Sequence, residues 1–440
     1  MSESGRNLAF TFSLVASLFC LWGFCNGMID VMDKHFQEVL HLSLGQSAWV
    51  QTAHYLGYCG MAFPAGLVAQ RFGYKGGIIA GLLIVALGGF WFLAAVRIAH
   101  LLAFLFGVFL IAAGLSCLET VANPYTAVLG DKRNSAVRIN LAQSFNGVGW
   151  IFGPIAGSLF FYSVDAHGRS TGSERLDIPY VGVAILVLVL AGIFYLAPVP
   201  DVRTKDEYRA SEDDAGEAPS PWTRPHFAAG VVAQFLYVAA QAGIFSFFIN
   251  YMTSQVPPIP PSWPAALDRL AAHAGALGSW LSGWFQPAGS GVIGMSDKGA
   301  ANLAAVAFVW FLAGRGSGAW LLHKLAAHRL LALYGILNVA ATLVVVAKWG
   351  WASVAAVFCS YFFMSIMFPT IFDLGIHGLG SRTKRASSYL VMAIVGGAFL
   401  PKLMGYIADR TDISVSFLLP TACFAFIAYY GLRWPKLSRA

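Results

Sequence analysis

Twelve long apolar blocks run through the 440-residue chain and restrict its fold more than any other feature. A helix needs about 20 predominantly apolar residues to cross about 30 Å of hydrocarbon, and blocks such as Ile78 to Val96, Leu101 to Cys117, Val181 to Leu196 and Leu330 to Ala347 approach that length. The expected spans are 8–31, 47–70, 76–97, 100–128, 137–164, 179–198, 227–252, 299–325, 329–347, 351–379, 386–409 and 413–435. A β-barrel would show alternating strands of about ten residues, whereas these blocks are continuously apolar and rich in Ala, Leu and Gly. With 58% hydrophobic and 11% charged residues, the chain is matched to lipid and not to water. The expected fold class is all-α integral membrane.

The first block lacks a small-residue cleavage site and continues into the polar segment Asn26 to Phe36, so it reads as a retained span. With the N-terminus placed in the cytoplasm, about 18 of the 28 Lys and Arg fall on cytoplasmic segments and about eight on the other side. Both termini are therefore expected inside. Basic loops facing anionic headgroups account for the net charge of +7, and no basic-aromatic constellation calls for nucleic acid. The six cysteines, Cys20, Cys25, Cys59, Cys117, Cys359 and Cys423, lie inside spans at unrelated spacings and read as small apolar residues, so neither disulfides nor a metal site is expected.

A polar stretch from Asp201 to Arg224, with Glu212, Asp213, Asp214 and Glu217, divides six spans from six. The expected organisation is a first bundle at 1–200, a cytoplasmic acidic linker at 201–226 and a second bundle at 227–440. The halves echo each other after their second helices. Gly66 precedes Arg71 by five residues and Lys75 follows; Ala319 precedes Lys324 by five and His328 follows. A small residue allows close helix approach, and the cations can hold helix C-terminal carbonyls or a carboxylate; plain positive-inside charge explains the second copy equally well. A Pro- and Gly-rich external loop, 253–298, includes a stretch from Ala266 to Trp284 that can form a short amphipathic helix at the interface, as a lid or as a passive loop.

An ionisable group deep in a span costs about 3 kcal/mol on insertion scales, so each needs a reason. Asp30 closes the first span and Glu119 sits inside the fourth. A carboxyl in a partly dry cavity can take up and release a proton as the cavity faces each side in turn; the structural alternative is a carboxylate tied to an Arg or a helix N-terminus. The fifth span carries Asn140, Gln143 and Ser144 within one turn, with Asn146 close by, and the seventh carries Gln234, Gln241 and Asn250. Amides suit the hydroxyls of a neutral polyol, or they act as glue between helices. Trp22, Tyr55, Tyr58, Phe145, Tyr237, Phe245 and Tyr361 offer an aromatic wall for such a solute, or ordinary packing. Arg315 and Asp373, in the eighth and tenth spans, are expected to form an ion pair that steadies or gates the second bundle. Lys402 can snorkel to an interface, and His54 reads as a core histidine in preference to a proton relay.

Five segments carry a family resemblance: Ser17 to Trp22 with Asn26 and Asp30; Cys117 to Pro124 with Val128 to Gly130; Arg138 to Asn146; Phe363 to Phe372; and Ser387 to Met392 with Gly396 and Gly397. Together with the six-plus-six layout and the loop echo, they resemble the major facilitator superfamily and, within it, the fucose-galactose-glucose:proton symporters, most of all the L-fucose:proton symporters. The resemblance implies two pseudo-symmetric six-helix bundles and proton-coupled sugar import by alternating access. It implies proton coupling at Asp30 and Glu119, and sugar contacts from Asn26, Asn123, Asn140, Gln143, Asn146, Gln241 and Asn250. Arg71, Lys75, Arg315 and Asp373 would gate or steady the bundles. A monomer in a bacterial inner membrane is expected, without cofactor or metal. The sequence departs from the family at Gly27 and Ile29, where fucose symporters tend to carry Asn, and at Met367, Phe368 and Asp373, so a glucose, galactose or N-acetylhexosamine symporter stays open. A membrane sugar receptor or a lipid-linked sugar transferase is the reading from another class, but no signalling domain or acidic metal motif supports it.

Overall fold

The computed structural model describes residues 3–129, 135–162, 177–197, 220–275, 278–287, 291–379 and 383–439. The acidic residues of the expected linker lie outside them. The described chain is almost wholly helical and divides into two compact units, one of Met1–His35 with Ala53–Arg209 and one of Phe36–Thr52 with Ala210–Ala440.

The first unit is built from most of α1 (Glu3–Val39), most of α3 (Trp49–Ile98), α4 (Leu101–Val128), α5 (Ser135–Phe161) and α6 (Asp177–Leu196); the short α2 (Leu44–Ser47) lies between α1 and α3 in the chain. Helix α1 does not stop near residue 31 as expected but carries the polar segment Asn26 to Phe36 onward as helix to Val39. The second and third spans follow each other directly in α3, separated by a non-helical kink at Gly73 (φ 73, ψ 179), a positive-φ conformation that glycine adopts without steric cost. The expected 71–75 loop is thus a single kink.

Within this unit α1 and α5 cross on glycine. Gly23 and Gly27 on α1, four residues apart, face Gly149 and Gly153 on α5. A Cβ at Gly149 would lie 2.1 Å from the Cys20 carbonyl oxygen, and one at Gly153 would lie 2.7 Å from backbone atoms of Phe24 and Gly27. Lipid tails are as apolar as leucine, so helices in a bilayer associate through such backbone-to-backbone contact. The same crossing explains why position 27 is glycine: a side chain there would meet the Trp150 carbonyl at 2.9 Å.

The second unit comprises α7 (Pro225–Ser246), α8 (Phe248–Gln255), α9 (Ser262–His273), α10 (Gly278–Leu281), a two-stranded antiparallel hairpin of β1 (Phe285–Pro287) and β2 (Ile293–Met295), α11 (Asp297–Leu322), α12 (Ala327–Val346), α13 (Trp351–Met364), α14 (Met367–Ile376), α15 (Thr383–Met392), α16 (Leu400–Arg410), α17 (Ile413–Ser416) and α18 (Leu418–Leu437). Four expected spans are interrupted here: at Phe247, at Ser365–Ile366, over the 3₁₀ segment Ala393–Ala398 that holds Gly396 and Gly397, and at Phe417. Broken helices persist in membranes only where the freed backbone groups find partners. The amphipathic helix expected within Ala266 to Trp284 starts earlier, at Ser262, and the hairpin after it was not anticipated.

The α2 segment packs within the second unit. Its first amides, Leu44 and Gly45, donate to the Asp409 carboxylate of α16 at 2.8 and 2.9 Å, and the Thr52 hydroxyl donates to the Ala398 carbonyl at 2.8 Å. An anion at a helix N-terminus is stabilising by about 0.3–1 kcal/mol. Lys402 places its ammonium 3.1 Å from the centroid of the Trp49 ring, a cation–π contact. Between spans, Asp412 pairs with Lys348 at 2.9 Å and caps α17 by accepting from Ser414 N at 2.8 Å. Burial works against its charge, but the hydrogen bonds from Lys348 and Ser414 outweigh that and hold its carboxyl below the ordinary value.

Ten stretches of the described residues are long and apolar enough to cross a membrane. The other two expected spans, the Trp49–Gln70 part of α3 and α5, are helical but diluted by polar side chains such as Gln51, His54 and Gln143.

Gly149→Ala is expected to destabilise the protein by about 1–3 kcal/mol through overpacking. Gly182→Ala on α6, where nothing lies within 4 Å of the added carbon, should be neutral or stabilising by up to about 1 kcal/mol. Thermal unfolding of the two variants in detergent, followed by size-exclusion chromatography, checks this; equal melting temperatures would remove the crossing from its structural role.

Candidate functional site

Because α1 stays helical, Trp22, Asn26, Asp30 and Asp33 fall on one face at spacings of four, four and three residues. Asn26 and Asp30 are buried, and Asp33 is completely so. The Trp22 indole N–H donates to the Tyr58 hydroxyl of α3. That hydroxyl also hydrogen-bonds the Asn26 side chain. Tyr58 thereby joins α1 to α3 at one polar point. Its ring lies 4.9 Å from that of His54, which is buried among Tyr55 and Tyr58 as a core histidine, and its carbonyl accepts from Ser116 Oγ at 3.0 Å.

Glu119 borders a cavity of about 10 Å³ whose other lining residues are Leu18, Phe19, Trp22, Leu118 and Ala122. That volume is at the lower limit for one water molecule. One turn on, Asn123 Nδ2 donates to the Glu119 carbonyl at 3.1 Å, and Asn123 Oδ1 accepts from Gln143 Nε2 of α5 at 3.2 Å. Arg138, also on α5, donates through Nε to the Thr126 carbonyl at 3.2 Å. An acid, an amide pair and an aromatic hydroxyl thus stand on neighbouring helices. Such a set offers both donors and acceptors to a polyol and one exchangeable proton.

The remaining expected site residues divide. Asn146 is buried, and its Nδ2 donates to the Phe19 carbonyl at 3.2 Å, which makes it glue for the α1–α5 crossing. Asn140 lies on α5, but its side chain is outside the described residues. On α7 and α8, Gln241 is half-buried and Asn250 is buried, while Gln234 is fully buried with neither end of its amide meeting a partner among the described residues. Of the aromatic candidates, Phe245 and Tyr361 stack at 4.6 Å inside a cluster with Phe308 and Phe248, which is packing. Tyr237 is buried and donates to the Met364 carbonyl at 3.0 Å.

The expected ion pair between Arg315 and Asp373 does not form. Arg315 points to the break between α13 and α14, with Nε 3.5 Å from the Ser365 carbonyl and its guanidinium over the Phe311 ring at 5.2 Å, whereas Asp373 is exposed on another face of α14. Arg315 and Tyr237 instead serve the carbonyls freed by the broken helix. The close approach that permits this comes from Gly314, where a Cβ would sit 2.4 Å from the Phe362 carbonyl. At the loop echo, Lys75 donates to the Ala197 carbonyl just past the end of α6 at 2.9 Å, Arg71 lies over Phe72 at 5.5 Å, and Lys324 lies over Trp320 at 3.9 Å.

Sequence reasoning missed Asp33 and His35, both buried at the end of α1, with His35 stacked on Phe161 at 5.3 Å. Asp33 had a signal, since it continues the Asn26–Asp30 spacing; the span simply seemed to end before it. Among the described residues no group of three or more His, Cys, Asp or Glu is placed to hold a metal.

A Major Facilitator Superfamily model matches residues 10–380. The chain belongs to the major facilitator superfamily. It is 32% identical over 444 residues to the L-fucose-proton symporter of Escherichia coli (strain K12), covering 97% of this chain and 93% of that protein. It is 31% identical over 436 residues to a glucose/galactose transporter of Brucella abortus (strain 2308), covering 99% and 96%. Among solved structures it matches FucP in the outward conformation with a TM-score of 0.66 at 32% identity, covering 98% of this chain and 99% of that one. A D-xylose-proton symporter matches at 0.70 but with 13% identity over 97% and 98% of the two chains, a likeness of fold alone. The chain is therefore a multi-pass membrane protein of a transporter superfamily.

A double-mutant cycle on Asn123→Ala and Gln143→Ala should show a coupling of about 0.6–1.5 kcal/mol in thermal stability, the range for hydrogen bonds between membrane helices. Strict additivity would mean that the two amides act independently.

Proposed function

We propose that this chain is a proton-coupled symporter that imports L-fucose or a related hexose by alternating access. The observation that carries the reading is the polar set on α4 and α5 beside the Trp22–Tyr58 pair: Asn123 donates to the Glu119 backbone carbonyl and accepts from Gln143, and Glu119 borders the cavity that Trp22 also lines. Support also comes from the names of the relatives, fucose-proton symporters and glucose/galactose transporters that match along nearly their whole length. Glu119 and Asp30 load a proton together with the sugar, and the two units exchange the side to which the loaded site is open. No covalent step is involved. Asn26, Asn123, Asn140, Gln143, Gln241 and Asn250 contribute sugar contacts. Asn146 is shared with the α1–α5 crossing.

In this reading residues 1–200 and 227–440 are the moving bundles, 201–226 links them, and both termini face the cytoplasm of a bacterial inner membrane, the protein acting as a monomer. Arg71 and Lys75 gate by holding helix ends, as Lys75 does at Ala197. Arg315 steadies the α13–α14 break. Identities of 32% and 31% to a fucose and to a glucose/galactose carrier leave the choice of sugar to experiment. Competition by a panel of hexoses and deoxyhexoses against one labelled sugar separates the two.

Glu119→Gln is expected to abolish accumulation of labelled hexose against a gradient while sugar-for-sugar exchange persists in proteoliposomes. Undiminished accumulation by the variant would remove Glu119 from the proton path.

A further inference from the structure

A second cavity, far larger than the one at Glu119, lies in the second unit under the long connection after α8. Its volume is about 360 Å³, within the 300–1,000 Å³ range typical of small-molecule sites. Helix α9 covers it with Trp263, Ala266, Leu267 and Leu270, at spacings of three, one and three residues, which is the whole apolar face of that helix. Asp268 and Arg269 stand on the opposite side. The hairpin adds Phe285 and Met295, and the wall is made by Leu303 of α11 with Val354 and Phe358 of α13. No charged, hydroxyl or amide side chain lines it among the described residues, so it does not suit a sugar.

We propose that this cavity holds one acyl chain of a phospholipid from the surrounding bilayer. Both helices of its wall are long and apolar enough to cross the membrane, and two turns beyond Leu303 the same face of α11 presents Trp310 at 51% exposure. The cavity therefore continues a surface that already meets hydrocarbon. Water gains nothing from an apolar wall, and an unfilled void forfeits the dispersion contacts of every side chain around it. The phase next to it supplies the filling. Trp263 and Trp351, with ring centroids 5.3 Å apart, both line it, and tryptophan is enriched where headgroups meet acyl chains. The amphipathic α9 has the character of a helix lying in that interface, its apolar side turned to hydrocarbon and its charges to water. The inserted chain joins α9 and the hairpin to α11 and α13, so the position of this connection depends on lipid.

The test uses full-length protein in vesicles of phosphatidylethanolamine and phosphatidylglycerol containing a phosphatidylethanolamine with a diazirine midway along one acyl chain. After illumination, cross-linked peptides are mapped by mass spectrometry. Peptides carrying Ala266–Leu270 and Leu303 should be labelled about fivefold or more above the α12 peptide with Leu333 and Ile336, which is ordinary exposed apolar surface. Ala266→Trp, which fills the cavity from an exposed position, should remove that excess and leave α12 labelling unchanged; Leu303→Phe serves if the first variant does not give a monodisperse protein. Labelling no greater than at α12, an excess untouched by the filling variant that folds, or labelling of the same peptides by a water-soluble photoreactive hexose would each overturn the proposal.

Discussion

The contact on which the first unit depends is the crossing of α1 and α5 on bare backbone. Gly23 and Gly27 meet Gly149 and Gly153 so closely that a single methyl group on either helix would strike a carbonyl or amide of the other. In a bilayer no hydrophobic driving force separates protein from solvent, and packing at this distance, together with hydrogen bonds such as Asn146 to the Phe19 carbonyl, has to supply the association. The consequence is chemical as well as structural. With α1 held in this rotation, its face with Trp22 and Asn26 turns to Tyr58 and Glu119, and α5 brings Gln143 to Asn123.

The second unit solves a different problem. Its spans break at Phe247, at Ser365–Ile366 and along Ala393–Ala398, and each break frees backbone groups that lipid cannot satisfy. Tyr237 donates to Met364 and Arg315 reaches Ser365, so side chains that looked like a sugar platform and half of a gate are occupied in holding an interrupted helix. Irregular backbone at membrane depth is where transporters usually bind or bend. The arginine devoted to it stands there without the carboxylate partner that the sequence suggested.

How much of this was legible depends on what kind of signal each residue carried. Hydropathy is additive along the chain, so spans and fold class could be read directly, and the polar residues Asp30, Glu119, Asn123 and Gln143 stood out against lipid because each needs a reason to be there. Rotation about a helix axis is not additive. The stripe from Trp22 to Asp33 was present as spacing, yet Asp33 was cut off by a boundary drawn where the apolar run ended, when the bundle could bury polar helix beyond it. The Arg315–Asp373 pair failed because opposite charges on two spans say nothing of which faces they occupy. Gly27 seemed a departure in the sugar contacts and is a packing requirement, visible only once α5 lies against it. The apolar cavity under α9 has no sequence signature beyond an amphipathic helix, since its lining is shared among α9, the hairpin, α11 and the more distant α13.

Coupling of sugar to proton is the central claim, and it is tested most directly by a pH electrode in a weakly buffered suspension of energy-depleted cells producing the protein. Addition of L-fucose, or of whichever hexose competes best, should make the medium more alkaline as protons enter with the sugar, and an uncoupler should abolish the change. Entry of labelled hexose without any pH change, at a rate indifferent to an imposed proton gradient, would contradict proton symport.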